Sequence, residues 1–443
     1  MIRVLILAYD FPPYVSVGGL RPNAWFKYLH EYGVQPIVIT RQWENKYQNH
    51  LDYIAAGWSD SDDIFTCNQG TIVRAPYKPN WGNRLMLKYG ENNFRLFRKF
   101  HSGFLEVSQF HLPLGPKRSI YDAAKRYLKS NQIDVIIATG DPFVLFHYAK
   151  KLSHEFKIPW VADYRDPWSQ HKETERPWVY KKWLRFIEKR TVSNAQMAIT
   201  VSEFVKMKIN SLLPNLPISL IMNGFDPEPV NAIKDIQQNS ESLNIGFVGT
   251  LYDWHPIEHF MATFNDYIIS RNVEIHLNFY GINRSEWLIH LVQEKFPQIE
   301  HLVHVFPKMQ NKELLERLAE NNVMLLFNYY YYLGTKIFDY LAIKRLILLC
   351  FGADKKAESL RKRFFSIKED LNASDQLQAE LLNKTQGGIV VEDAEHLKRV
   401  LDELCIAFKK EGQIRCDSHD VDQFSRQLQT ERLAIFLKKV AND

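Results

Sequence analysis

Short apolar runs alternate with longer stretches of helical spacing along this chain, and the alternation happens twice. In the first half the runs are residues 4–8, 35–40, 134–139 and 159–162, with 196–201 and 218–222 closing the series. Helix-spaced segments separate several of them, 22–31 and 119–129 among these. The pattern restarts at 243–248 and continues through 274–280, 301–306, 323–327 and 346–351. Buried strands interleaved with helices predict an α/β chain with parallel, doubly wound sheets. A polar segment at 233–242, IKDIQQNSES, stands between the two series and reads as a linker. Two Rossmann-like domains are therefore expected. The opening run MIRVLILA is too short for a signal-peptide core and reads as a first strand.

Residues 334–350, GTKIFDYLAIKRLILLC, carry the densest chemical signal. They predict a loop, a short helix and a buried strand, with Thr335 as N-cap. Lys336 and Asp339 are three apart and share a face, while Ile337, Tyr340 and Leu341 point to a core. A helix N-terminus bearing a hydroxyl, a lysine and free N–H groups suits phosphate. The carboxylate one turn later can accept from a ribose diol, so the combination suggests a nucleotide diphosphate. An ordinary amphipathic helix explains the same residues, and these positions alone leave both readings open.

In open parallel sheets ligands bind beyond the carboxyl ends of the strands. After the first strand come Asp10 and two prolines, then Gly18 and Gly19 before a helix from Arg21 or Pro22. Paired glycines there allow close approach to the backbone, or simply make a turn. Asp141 follows the run 134–139, and Asp163, Arg165, Asp166 and Trp168 follow 159–162. Those acids and the arginine form either a site or a salt-bridged loop closure. Gly249 and Thr250 end the first strand of the second half.

Composition narrows the function. The chain has 443 residues, 46% hydrophobic and 24% charged, enough for two or three domains with full cores. Its four cysteines lack metal or disulfide spacing, which fits a reducing compartment. No apolar run approaches the roughly 20 residues of a membrane helix, so a cytoplasmic protein is expected, at most peripheral on the inner face of the cell membrane. Neither HExxH nor a P-loop lysine motif occurs, which argues against metal hydrolysis and ATP cleavage. Net charge is only +5, and positive charge gathers between Arg74 and Lys129 with interleaved aromatics. That stretch suits an anionic membrane surface, or a solvated helix whose aromatics form a core. No recognised nucleic-acid module accompanies it, so nucleic acid is not an expected partner.

Taken in order, FPPYVSVGGLR, VADYRDPW, ISLIMNGFDPE, NIGFVGTL and GTKIFDYLA resemble a GT-B glycosyltransferase of the family-4 type over nearly the whole chain. The resemblance implies two Rossmann-like domains facing across a cleft: an acceptor domain at 1–222, a donor domain at 223–415, and a helix within 416–443 returning to the first domain. It implies retaining transfer from a nucleotide-diphosphate sugar, without metal or other cofactor, to a glycan, polysaccharide or lipid-linked acceptor, as in cell-envelope polysaccharide biosynthesis. On the donor side it assigns Gly249 and Thr250 beside the diphosphate, Thr335 and Lys336 on its oxygens, and Asp339 on the ribose. Gly18 and Gly19 would approach the donor from the first domain, and Asp163, Arg165 and Asp166 would line the acceptor side. Retention lets the leaving phosphate take the acceptor proton; inversion would need a base, for which Asp166 and Asp141 are placed. Two positions depart from the family. The first acid of its paired-acid motif is Tyr331, and no Lys or Arg lies between Thr250 and Glu258, where His255 is the nearest substitute. A catalytically silent binding subunit and a nucleotide-sugar epimerase are the alternative readings on the same fold.

Overall fold

The structure, a computed structural model, describes residues 1–44, 50–112, 114–170, 177–365 and 373–442. It divides into two compact units: Met1–Met222 with Arg426–Asp443, and Asn223–Ser425. Both are parallel sheets flanked by helices.

The sheet of the first unit is built from β1 (Ile2–Leu7), β2 (Val34–Arg41), β3 (Asp63–Thr66), β4 (Thr71–Ala75), β5 (Val135–Gly140), β6 (Trp160–Tyr164), β7 (Met197–Thr200) and β8 (Ile218–Leu220). Their spatial order is β3-β4-β2-β1-β5-β6-β7-β8. All neighbours are parallel except β3 and β4. The central strands are buried on both faces, which is why they read as continuous apolar runs. The β3–β4 hairpin escaped the sequence pattern. Arg74 interrupts Thr71–Ala75, and β3 is largely exposed with Ile64 59% accessible, so neither forms a continuous apolar run.

The second unit holds β9 (Leu243–Val248), β10 (Ile275–Tyr280), β11 (Val303–Phe306), β12 (Val323–Phe327), β13 (Leu346–Cys350) and β14 (Gly388–Val391). Their order is β11-β10-β9-β12-β13-β14, parallel throughout. The order reverses direction between β9 and β12, the kind of switch point at which such sheets bind ligands. Its core joins Phe247, Phe260, Phe279, Leu325 and Leu348, among others.

The chain leaves the first unit after Met222 and returns at Arg426. The returning helix Arg426–Asn442 buries Leu433, Ala434, Leu437 and Val440 in the first unit's core, beside Val4, Trp25 and Val135. Gln429 of that helix accepts from the Met222 N–H at 2.8 Å. Residues 416–425 stay with the second unit, where Ser425 forms a parallel bridge to Phe225. Among the described residues no helix is long and apolar enough to cross a membrane.

Candidate active site

In the second unit the carboxyl end of β9 meets the short helix Lys336–Ala342. The Tyr340 hydroxyl of that helix accepts from the Val248 N–H at 2.9 Å, fixing helix against strand end. Gly249 follows with φ +86°, a left-handed conformation that glycine adopts without strain. The Lys336 ammonium lies next to this turn, 3.5 Å from the Thr250 carbonyl and 4.4 Å from the Phe247 ring centre. Among the described residues no carboxylate pairs with it. The residue keeps partial exposure, yet desolvation around its ammonium lowers its pKa to about 7. A cation held in an apolar setting without a counter-ion is prepared for an anionic ligand. Asp339 shares this helix, one turn on.

Thr335 departs from its expected role. It precedes the helix, but its side chain makes no capping bond and its backbone is already in the right-handed helical region. The helix start is held by Tyr340 and Ile337 packing instead, Ile337 being fully buried. His255 also differs from expectation. It is brought near Lys336, but it is buried, and desolvation together with the lysine charge drives its pKa well below the usual imidazole value. His255 is thus neutral, and its Nδ1 accepts from the Tyr252 N–H at 3.4 Å. In the empty protein it therefore supplies no second cation beside Lys336. Tyr331 belongs to an aromatic cluster around Phe365, with Tyr330 and Trp254, and Arg361 lies 4.4 Å over the Tyr330 ring.

In the first unit the expected site residues separate into two groups. Asp163, at the end of β6, is fully buried. It accepts from Arg21 Nε at 3.0 Å, and the Arg21 guanidinium donates in turn to the carbonyls of Ile221 and Met222 at 2.7 and 3.2 Å. The pair clamps β6 to the last residues before the crossing to the second unit. Asp163 is therefore a positioning residue, and the salt-bridged reading describes it better than acceptor contact.

Arg165 faces the strand ends. It donates to the carbonyls of Gly140 and Asp141 at 2.6 and 2.7 Å. Asp166 is partly exposed in the same loop, whose Ser169 N–H is anchored on buried Glu188 at 2.8 Å. Gly18 and Gly19 lie in the first turn of the helix Val17–Tyr28, which begins earlier than the sequence suggests. The Ser16 side chain caps it, accepting from Gly19 N–H at 3.1 Å and donating to Asp10 at 2.8 Å. A Cβ on Gly18 would lie 2.5 Å from Asp10 Oδ2 and 2.6 Å from Arg165 Nη1. Glycine here lets that acid and that base come together.

A cavity of about 580 Å³ lies beyond the carboxyl ends of β1, β5 and β6, lined by Tyr9, Asn80, Glu106, Lys117, Asp141 and Trp168 among others, while Gly18, Gly19, Asp163, Arg165 and Asp166 are not in its lining. The Lys117 ammonium makes no hydrogen bond among the described residues and lies 5.5 Å over the Tyr9 ring. Burial pushes its pKa down, against the nearby charges of Asp141, Glu106 and Asp10. Burial likewise raises the Asp10 carboxyl, partly offset by the Ser16 hydrogen bond and Arg165. Sequence reading missed Asp10, Lys117 and Glu106 as site residues. Asp10 directly after the first strand was a usable signal, whereas Lys117 and Glu106 sit far from any strand end in sequence.

Residues 25–229 match the family model for Glycosyltransferase Family 4. No curated protein sequence matches the chain. Similar solved structures include sucrose-phosphate synthase from Thermosynechococcus elongatus, at 12% identity and TM-score 0.57, covering 100% of this chain and 97% of that one. The E. coli trehalose-6-phosphate structure bound with UDP-2-fluoro glucose matches at 10% identity and TM-score 0.55 over 99% of this chain and 97% of that one. The catalytic domain of starch synthase IV from Arabidopsis thaliana, bound to ADP and acarbose, matches at 12% and 0.58 over 100% of both chains. The fold is GT-B. The family match falls almost wholly within the first unit.

Proposed function

We propose that the protein transfers a sugar from a nucleotide-diphosphate donor, bound in the second unit, to a glycan, polysaccharide or lipid-linked acceptor received by the first unit's cavity. The observation that carries this is Lys336, a desolvated ammonium without a carboxylate partner at the end of β9. Support for the donor class comes from relatives of the same fold that hold UDP-2-fluoro glucose or ADP. The diphosphate would take Lys336 and the backbone N–H groups around Gly249 and Thr250, with Asp339 toward the ribose.

Transfer breaks the bond between the anomeric carbon and the diphosphate oxygen, and the electron pair leaves with the diphosphate. Lys336 neutralises that developing charge in a site of low dielectric, so the reading assigns the electrophilic role to the lysine and not to a metal. The acceptor oxygen bonds to the anomeric carbon, which carries oxocarbenium character at the transition state. In the retaining course its proton passes to the departing phosphate oxygen. Asp141, exposed at the cavity rim, is the base that the inverting course would use. Tyr331 in place of a carboxylate leaves an aromatic neighbourhood where the family places its first acid, and sugar preference depends on it.

Lys336→Ala tests the reading. Removing one partner of a close charge pair costs about 2–5 kcal/mol, so nucleotide-diphosphate affinity should fall at least 30-fold by calorimetric titration while the nucleoside alone binds unchanged. Equal affinities in variant and parent would remove the donor assignment.

A further inference from the structure

The helices Trp81–Tyr89 and Arg95–Ser108 were expected either to supply aromatics to a core or to face a membrane. The structure gives them almost no core. Arg95–Ser108 is strongly amphipathic by spacing, with Leu96, Phe97, Phe100, Phe104 and Val107 along one side, yet its sole buried residue is Ser108. Leu96 is 86% exposed, Phe100 78% and Trp81 70%. A third helix, Trp178–Val192, adjoins them: Tyr180 donates to Glu106 at 2.7 Å, and Trp178 and Phe186 are 67% and 58% exposed. Monomeric soluble proteins rarely leave so many large apolar side chains exposed along one side of a helix, as Leu96, Phe97, Phe100 and Phe104 are here.

Charge selects what covers it. Across residues 81–108 and 177–192 there are ten lysines and arginines against three glutamates. Glu188 is buried with Tyr164 and Ser169, and Glu106 is engaged by Tyr180, so little negative charge faces outward. Lys182 lies 4.6 Å over the Trp178 ring, and Lys88 5.1 Å over Tyr89. Interleaved aromatics and cations fit the boundary between acyl chains and anionic headgroups, where apolar insertion and charge attraction act together. A basic protein partner would be repelled. A nucleic acid would not require the apolar stripe.

We propose that this three-helix face seats the protein on an anionic lipid bilayer. The same helices supply Asn80, Asn83, Leu105 and Glu106 to the wall of the 580 Å³ cavity. The cavity thereby opens beside the bilayer, and its acceptor is an amphiphile whose polar head enters while its tail stays in lipid. This acceptor assignment rests on the transferase reading; the seating itself does not.

The test is co-sedimentation of the full chain with vesicles of phosphatidylcholine alone and of phosphatidylcholine with phosphatidylglycerol. Binding to the anionic vesicles only, weakening as salt rises from 0.1 to 1 M, is expected because the Debye length falls from about 10 to about 3 Å. Reversal of Arg95, Lys99 and Lys182 to glutamate should lower anionic-vesicle affinity by more than a hundredfold, each basic residue being worth about fivefold. Arg98 is left alone, because it donates to the carbonyls of Glu91 and Asn93 at 2.8 and 3.1 Å and holds the turn. Leu96→Ser with Phe100→Ser should lower affinity at least tenfold, and both variants should keep the parent's nucleotide affinity, which reports an intact fold. If the parent ignores anionic vesicles, or binds neutral ones equally, the proposal falls. It also falls if light scattering shows a dimer that Phe100→Ser dissociates, since a second copy then covers the face. Vesicle binding without any nucleotide binding would leave the seating standing and remove the transferase reading instead.

Discussion

The two sheets end in opposite chemistry. At the strand ends of the first unit, charges are interlocked: Arg21 with Asp163, Arg165 with two carbonyls, Asp10 with Ser16. At the strand ends of the second unit Lys336 stands without a carboxylate among the described residues, bordered by Phe247 and neutral His255. An interlocked network gives shape, because moving one member strands the rest. A solitary desolvated charge gives binding, because a ligand supplies the missing partner. On the proposed reading, the difference separates residues that position others from a residue left to meet a ligand.

The largest effect expected from this contrast is on stability. Asp163→Ala leaves the Arg21 guanidinium buried and uncompensated, which costs about 3–5 kcal/mol. Urea denaturation should show that loss. Lys336→Met should instead leave stability unchanged or raise it, since it removes a desolvated charge. Comparable losses in the two variants would collapse the distinction.

Next in size is a pH dependence that belongs to the second unit. The Lys336 pKa is about 7 in the empty protein, below the usual 10.5. A bound diphosphate favours the charged form and raises it. Affinity for a nucleotide sugar, whose diphosphate diester has fixed charge in this range, should be flat below pH 7. Above it, affinity should fall by up to about tenfold, or about 1.4 kcal/mol, per unit. Stability of the empty protein runs the other way: between about pH 7 and 10.5 the unfolded chain binds the Lys336 proton more tightly, so stability rises with pH there. Titrations in buffers of differing ionisation enthalpy should detect proton uptake on binding at pH 8. A pH-independent affinity would mean that Lys336 does not meet the diphosphate.

The smallest effect tests packing in the first unit. Gly18→Ala places a Cβ against Asp10 and Arg165 at 2.5 and 2.6 Å. Arg165 is pinned by two carbonyls, so relief must come from Asp10, at a cost of about 1 kcal/mol. Thermal unfolding should register a modest drop. A neutral outcome would show that the cluster is looser than its hydrogen bonds imply.

The alternation of apolar runs determined the two parallel sheets, because a strand buried on both faces must be apolar throughout and that requirement is local. The pairing of Gly249 with Lys336 was likewise legible, since strand end and helix start each carry their own signal. Sequence could not say that Asp163 points inward and Arg165 outward, because neighbours in one loop diverge according to which distant side chain, here Arg21, is waiting. It could not tell a neutral His255 from a charged one, since protonation follows from burial by residues far along the chain. Nor could it say that Phe97 and Phe100 face outward. Periodicity shows that a helix has an apolar side; only the packing of whole elements decides whether protein covers it.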